Sequence, residues 1–335
     1  MIIFAPMAEQ IYYPFQSFKA SKKLCFLTGK PLNSSEEQIH VFPQWLMSRY
    51  KLEDQPFKLL DESIQTYKDL KLPCSAEANE LYVEPLERDI EAAFTIGYEA
   101  VKELDELRLF QWAAKWLHGI IFNELQAAMR QQNAEGEEFS VSQSILQRFT
   151  NLHVMLQTLS LPIKFDEFKP YSLFLFKVNN LENEFGYRDE VSTVTFALRI
   201  NDFGLIINLQ DNGTIGRYLQ ETYDKIKDRT LHPIQFEEFS ARAFYAAYLF
   251  NRLPNYDIMP VGDDIFIEAN QLRGNSTKPL FDEWQVRTYG QVLESFWKKW
   301  GYLLLEIIKD PDNPVSHLFD ADGNFIPADS IDLGL

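Results

Sequence analysis

"VSTVTFALRINDFGLIINLQDNG" (Val191–Gly213) decides the fold class. Val191–Ile200 is rich in β-branched and aromatic residues, which suit a strand. Asn201–Gly204 reads as a turn, with Gly204 supplying a positive φ, and Leu205–Asp211 returns as a second strand. Asp211–Gly213 closes that strand with another turn. A hairpin makes the sheet antiparallel, and "SLFLFKV" (Ser172–Val178) adds a further strand upstream.

Helices follow. Pro233–Leu253 opens on a proline and places Glu237 and Glu238 early, where the helix dipole favours acids. Trp284–Lys309 reads as one long amphipathic helix containing Gly290 and Gly301. On the N-terminal side, Asp105–Met129 is strongly helical. Leu109, Trp112, Ala113, Trp116, Ile120 and Ile121 give it one broad apolar face, with His118 beside it as ordinary structure. Ala76–Ala100 is also helical in pattern. Gln131–Ser140, polar and acidic, is the candidate linker, and Ser140–Ser160 suits another helix. These signals divide the chain into residues 1–135 and an α+β C-terminal domain, 150–335, of unknown role.

The bulk numbers narrow the function. A chain of 335 residues with 46% hydrophobic content builds a substantial core. A net charge of −17 argues against broad nucleic-acid binding, which draws on Lys and Arg against phosphate. It leaves room for a local basic patch, densest at Lys19, Lys22 and Lys23. Two cysteines, Cys25 and Cys74, cannot form a disulfide framework. The N-terminus lacks a signal-peptide pattern and no apolar run is long enough to span a membrane. A cytoplasmic location and no membrane partner are the expectation.

The N-terminal quarter carries a motif. "IHVFPQWL" (Ile39–Leu46) reads as a strand stopping at Pro43 and then a helix. "YKDLKLPCSAEAN" (Tyr67–Asn79) and "NELYVEPLERDIEAAF" (Asn79–Phe94) lie downstream, and "CFLTGKPL" (Cys25–Leu32) upstream. Over residues 22–125 these segments resemble HNH-type endonuclease-like bacterial proteins. The resemblance implies a ββα-metal-type module in which a His at a strand end deprotonates water, an Asn fixes its loop and a divalent metal stabilises the phosphate charge. It places His40, Asn79 and Glu87 in catalytic roles, with Glu87 also the metal ligand. Departures are substantial. Ile39 stands where an acid precedes the His, although Glu36 and Glu37 lie close by. Of the four sulfur ligands of the structural zinc only Cys25 survives; Thr28, Ser75 and Ala78 stand at the others, and Cys74 is expected to face elsewhere.

Plainer readings stand beside these. Phe42 and Trp45 suit a core, Asn79 suits a helix cap, and Glu87 suits a solvated helix face. "DADGN" (Asp320–Asn324) reads as a turn rather than a calcium loop, and "DIMPVGDD" (Asp257–Asp264) as a solvated loop. His232 precedes a helix start.

The resulting expectation is α+β: an HNH-like N-terminal module with helices, then an antiparallel hairpin sheet plus helices. The function expected is that of a nuclease-derived, catalytically degenerate binding or scaffold protein with an unknown protein partner, no structural zinc and no cofactor. One alternative is a nuclease using a divalent metal such as Mg²⁺, with His40 as general base and Arg88 beside the lysines holding phosphate. Another is protein interaction through the C-terminal domain, by an exposed cluster of Tyr245, Tyr248 and Phe250.

Overall fold

The hairpin at the centre of the sequence reading forms, but one turn differs. Thr195–Ile200 pairs antiparallel with Phe203–Asn208, and it is Asn201, at φ 46°, that takes the left-handed conformation. Gly204 lies inside the second strand. A Cβ there would stand 2.2 Å from Cε2 of Phe236, so the glycine serves the close approach of a helix rather than the turn. The first strand also starts later than its composition suggests. Val191–Val194 turns back from the strand Gly186–Glu190, and Val194 sits at φ 47° with its side chain fully buried. Burial holds a β-branched residue where its backbone is disfavoured.

The computed structural model describes residues 11–15, 22–135, 141–180, 182–272, 277–310 and 313–333. The chain is α+β, with helices and open sheets, and its segments form two compact units. The first unit takes residues 1–93, 104–169 and 253–270; the second takes 94–103, 170–252 and 271–335.

The second unit is built on a five-stranded sheet. Its order is Thr230–Leu231, Ser172–Val178, Phe203–Asn208, Thr195–Ile200, Gly186–Glu190, antiparallel except for the first, two-residue strand. The helix Pro233–Leu249 covers one face, where Phe236, Phe239 and Ala243 meet Phe174, Phe176, Ala197 and Ile206. His232 caps this helix, its Nδ1 accepting from Ile234 N at 3.2 Å. Glu237 and Glu238 lie beyond the first turn and are buried, so specific partners rather than the helix dipole hold them. Glu238 accepts from Ser316 Oγ, His317 N and Leu318 N, at 2.7, 2.7 and 3.1 Å, which anchors the C-terminal stretch. Trp284–Lys309 is not one helix. It runs as Val286–Trp297, a short 3-10 turn, then Leu304–Ile307, because Gly301 at φ 75° ends the turn between them.

The first unit is built round the long helix Glu106–Glu135. The six apolar residues read as its face are all buried. Trp116 meets Trp112 at 4.4 Å and Phe42 at 4.8 Å between ring centroids. Trp45 is only half-buried, with the Arg49 guanidinium over its ring. The helix runs through the first half of the stretch read as a linker; residues 136–140 lie outside the described residues. Gln143–Leu156 is the helix expected after it. A three-stranded sheet, Tyr256–Val261, Asp264–Ala269 and Ile163–Phe165, and two short ribbons complete the unit.

Candidate functional site

His40 ends the strand Gln38–His40, which pairs antiparallel with Lys71–Pro73 and puts His40 opposite Lys71. The helix Gln44–Tyr50 follows, with Pro43 as its cap residue. The imidazole is half-buried. Burial, then the positive charges of Lys71 and Lys115, hold its pKa below the ordinary value. The charged neighbours that reach His40 are therefore ammonium groups, the reverse of a metal-binding surround.

Glu87 stands in the first turn of the helix Glu84–Ile96, and both its oxygens are engaged. Oε1 accepts from Lys115 Nζ at 2.5 Å, and Oε2 accepts from the Trp112 indole Nε1 at 3.0 Å. Lys115 is fully buried and also reaches the His40 carbonyl at 3.5 Å. One lysine thus joins Glu87 to the His40 backbone. A metal at Glu87 would have to displace this ammonium, which leaves its carboxylate a poor ligand. Glu87 is a paired residue, neither a solvated one nor an open ligand.

Asn79 is not the helix cap. Ser75 is, with its Oγ accepting from Ala78 N at 3.2 Å, while Asn79 lies inside the helical run and donates to Glu84 Oε1 at 2.6 Å. Nothing joins Asn79 to His40 in a described hydrogen bond. Glu37 is held by the Asn33 backbone and side chain at 2.6 and 3.3 Å, and Glu36 is exposed.

The zinc positions do come together, in part. Cys74 does not face elsewhere: its thiol interacts with that of Cys25, which lowers the Cys25 pKa and, with burial, raises that of Cys74, and it donates to the Ser75 carbonyl at 3.6 Å. Two thiols and a threonine hydroxyl do not supply the thiolate or imidazole set that zinc takes. Among the described residues no group of three or more His, Cys, Asp or Glu is placed to hold a metal ion.

The remaining candidates are structural in placement. Asp320 accepts from Asp322 N and Asn324 N at 3.0 and 2.8 Å, so "DADGN" is a turn that consumes its own carboxylate. "DIMPVGDD" is mostly strand rather than the loop expected: Asp257–Val261 belongs to Tyr256–Val261, Gly262 and Asp263 make the turn, and Asp264 opens the next strand and pairs with Lys164 at 2.5 Å. Of the three aromatic residues read as an exposed cluster, Tyr245 and Phe250 are buried and Tyr248 is 72% exposed. Lys22, Lys23 and Arg88 are exposed; Lys19 lies outside the described residues. No helix among the described residues is long and apolar enough to cross a membrane.

No family model, no curated protein and no solved structure matches the chain. Lys115 is the residue that sequence reasoning passed over. A signal was present: between Arg108 and Glu124 it is the single Lys, Arg, Asp or Glu, and it sits beside Trp112 and Trp116.

Proposed function

We propose that the chain is an HNH-nuclease-derived protein that no longer cleaves and that acts by binding or scaffolding. An antiparallel ribbon leads into a helical run from Ala76 onward, and His40 ends the first strand of that ribbon, an order compatible with a ββα module. The observation that carries the loss of catalysis is the Lys115 ammonium on Glu87. A lysine supplies positive charge there, but it neither binds and activates a water as a divalent metal does nor bridges to phosphate oxygen as a Lewis acid. On this reading Lys115 keeps the packing of the ancestral centre and removes its chemistry.

The test is cleavage of plasmid DNA and structured RNA with Mg²⁺, Mn²⁺ or Ni²⁺, comparing the unaltered chain with His40→Ala. No cutting by either folded protein is expected. Metal-dependent cutting that vanishes in His40→Ala would overturn the proposal and make the chain a nuclease with His40 as its base.

A further inference from the structure

We propose that Cys25 and Cys74 are a peroxide-responsive dithiol, which closes to a disulfide and staples the ribbon that carries His40. They are the chain's two cysteines, so an intrachain bridge has a single possible pairing. Both are free thiols and both are buried, Cys25 at 0% and Cys74 at 2% exposure. The inference concerns redox chemistry, goes beyond the reading above and stands whatever the cleavage assay shows.

Backbone hydrogen bonds hold the two cysteines side by side. Phe26 N donates to the Pro73 carbonyl at 2.7 Å; Cys25 precedes Phe26 and Cys74 follows Pro73. Each cysteine is also fixed in its own segment. Cys25 N donates to the Lys30 carbonyl at 2.8 Å, and the Cys25 carbonyl accepts from Gly29 N at 2.9 Å, which closes a turn round it. Cys74 N donates to the Glu37 carbonyl at 3.0 Å, continuing the pairing of Lys71–Pro73 with Gln38–His40. The two thiols interact across this pairing. A disulfide needs backbones close together and sulfurs that can meet, and here neither segment has to move far.

Burial selects the oxidant. Neither side chain presents surface to a bulky disulfide, whereas hydrogen peroxide is little larger than water and needs only a small opening of the turn round Cys25. Contact with the Cys74 thiol lowers the Cys25 pKa to about 4, so Cys25 supplies the attacking thiolate. Its sulfur takes one peroxide oxygen, the O–O bond breaks and hydroxide leaves, making Cys25 a sulfenic acid. The Cys74 sulfur then attacks the Cys25 sulfur. The S–S bond forms, the S–O bond breaks, and the departing hydroxide takes the Cys74 proton as water. In all, two thiols give up two electrons and two protons, and one peroxide becomes two waters.

Hydrogen peroxide on the folded full chain tests this, read by thiol counting after denaturation and by peptide mass mapping. Both thiols should disappear, and the peptides holding Cys25 and Cys74 should be linked within one chain. The bridge closes a loop of about 50 residues and should raise the thermal midpoint by roughly 5 °C, a rise that dithiothreitol reverses. Cys74→Ala removes the second thiol, so peroxide should leave a Cys25 sulfenic acid that dimedone traps. Oxidised glutathione should link the folded chain far more slowly than peroxide. The proposal fails if both thiols survive peroxide, if they pass to sulfinic or sulfonic acid without linkage, or if the linkage joins two chains. It fails equally if oxidised glutathione acts as fast, or if Cys74→Ala, folded by circular dichroism, gives no dimedone adduct.

Discussion

Burial acts on different ionisable groups in the two units. In the first, buried titratable side chains include Lys115, His118 and His153; in the second they include Asp211, Glu237 and Glu238, with Arg199 beside Glu237. His153 Nε2 must donate to the Phe26 carbonyl, 2.6 Å away, because a carbonyl can only accept. Its Nδ1 is then free to accept from Gln157 Nε2 at 3.2 Å, which fixes a neutral imidazole. Burial pushes His153 down to about 4, and burial with the nearby His153 holds His118 well below its ordinary value. Asp211 goes the other way. It accepts from Ser172 Oγ and Ile215 N, yet burial pushes it up to about 6. The same cause, loss of water, disfavours the charged form in both units and gives opposite responses to acid.

Breaking the Lys115–Glu87 pair should have the largest effect. Lys115→Met leaves Glu87 facing Trp112 without its cation and should cost about 3–5 kcal/mol in denaturant unfolding. Adding Glu87→Met should return most of that loss; a double variant as unstable as the sum of the two singles would mean the pair is not coupled.

Next comes pH, which separates the two units directly. His153 is protonated in the unfolded chain below its ordinary value of 6.5 but in the folded chain only below about 4. Its contribution is therefore intact above pH 6.5 and falls by about 3 kcal/mol as pH drops to 4. Asp211 gains its proton near 6 when folded and near 3.8 when unfolded, so it adds stability as pH drops through that window. Urea unfolding across pH 4–7 should show His153→Asn flattening the loss and Asp211→Asn removing the gain. Identical pH profiles for the two variants would erase the contrast.

Smaller effects probe local packing. Gly204→Ala drives a Cβ against Phe236 and should cost about 2 kcal/mol by thermal or urea unfolding. Ser75→Ala removes a helix cap and should cost about 1 kcal/mol. Asn79→Ala, which removes one exposed hydrogen bond, should cost under about 0.5 kcal/mol. The reverse order at Ser75 and Asn79 would restore Asn79 as the cap.

Much of the second unit was legible because local pattern and final structure agree. Ser172–Val178 forms over the residues its composition marked, and the helix starts at Pro233 as its sequence indicates. The errors have particular causes. Gly204 looked like a turn residue because glycine allows a positive φ, but the contact that demands it is Phe236, thirty-two positions on. Glu237 and Glu238 looked like dipole acids because their partners, Arg188, Arg199 and the backbone near Ser316, are distant in sequence. In the candidate site, strand-ending His40 was visible, whereas the fate of Glu87 was not.

By itself the sequence determined the α+β class, the apolar face of the long helix and the turns at Asp211–Gly213 and Asp320–Asn324. Each of these depends on residues within a few positions of one another, where periodicity, turn chemistry and burial act together. Tertiary structure decided which charges meet. Lys115 and Glu87 are 28 positions apart, Arg199 and Glu237 are 38, and Cys25 and Cys74 are 49. Only folding brings such groups out of water into one another's reach.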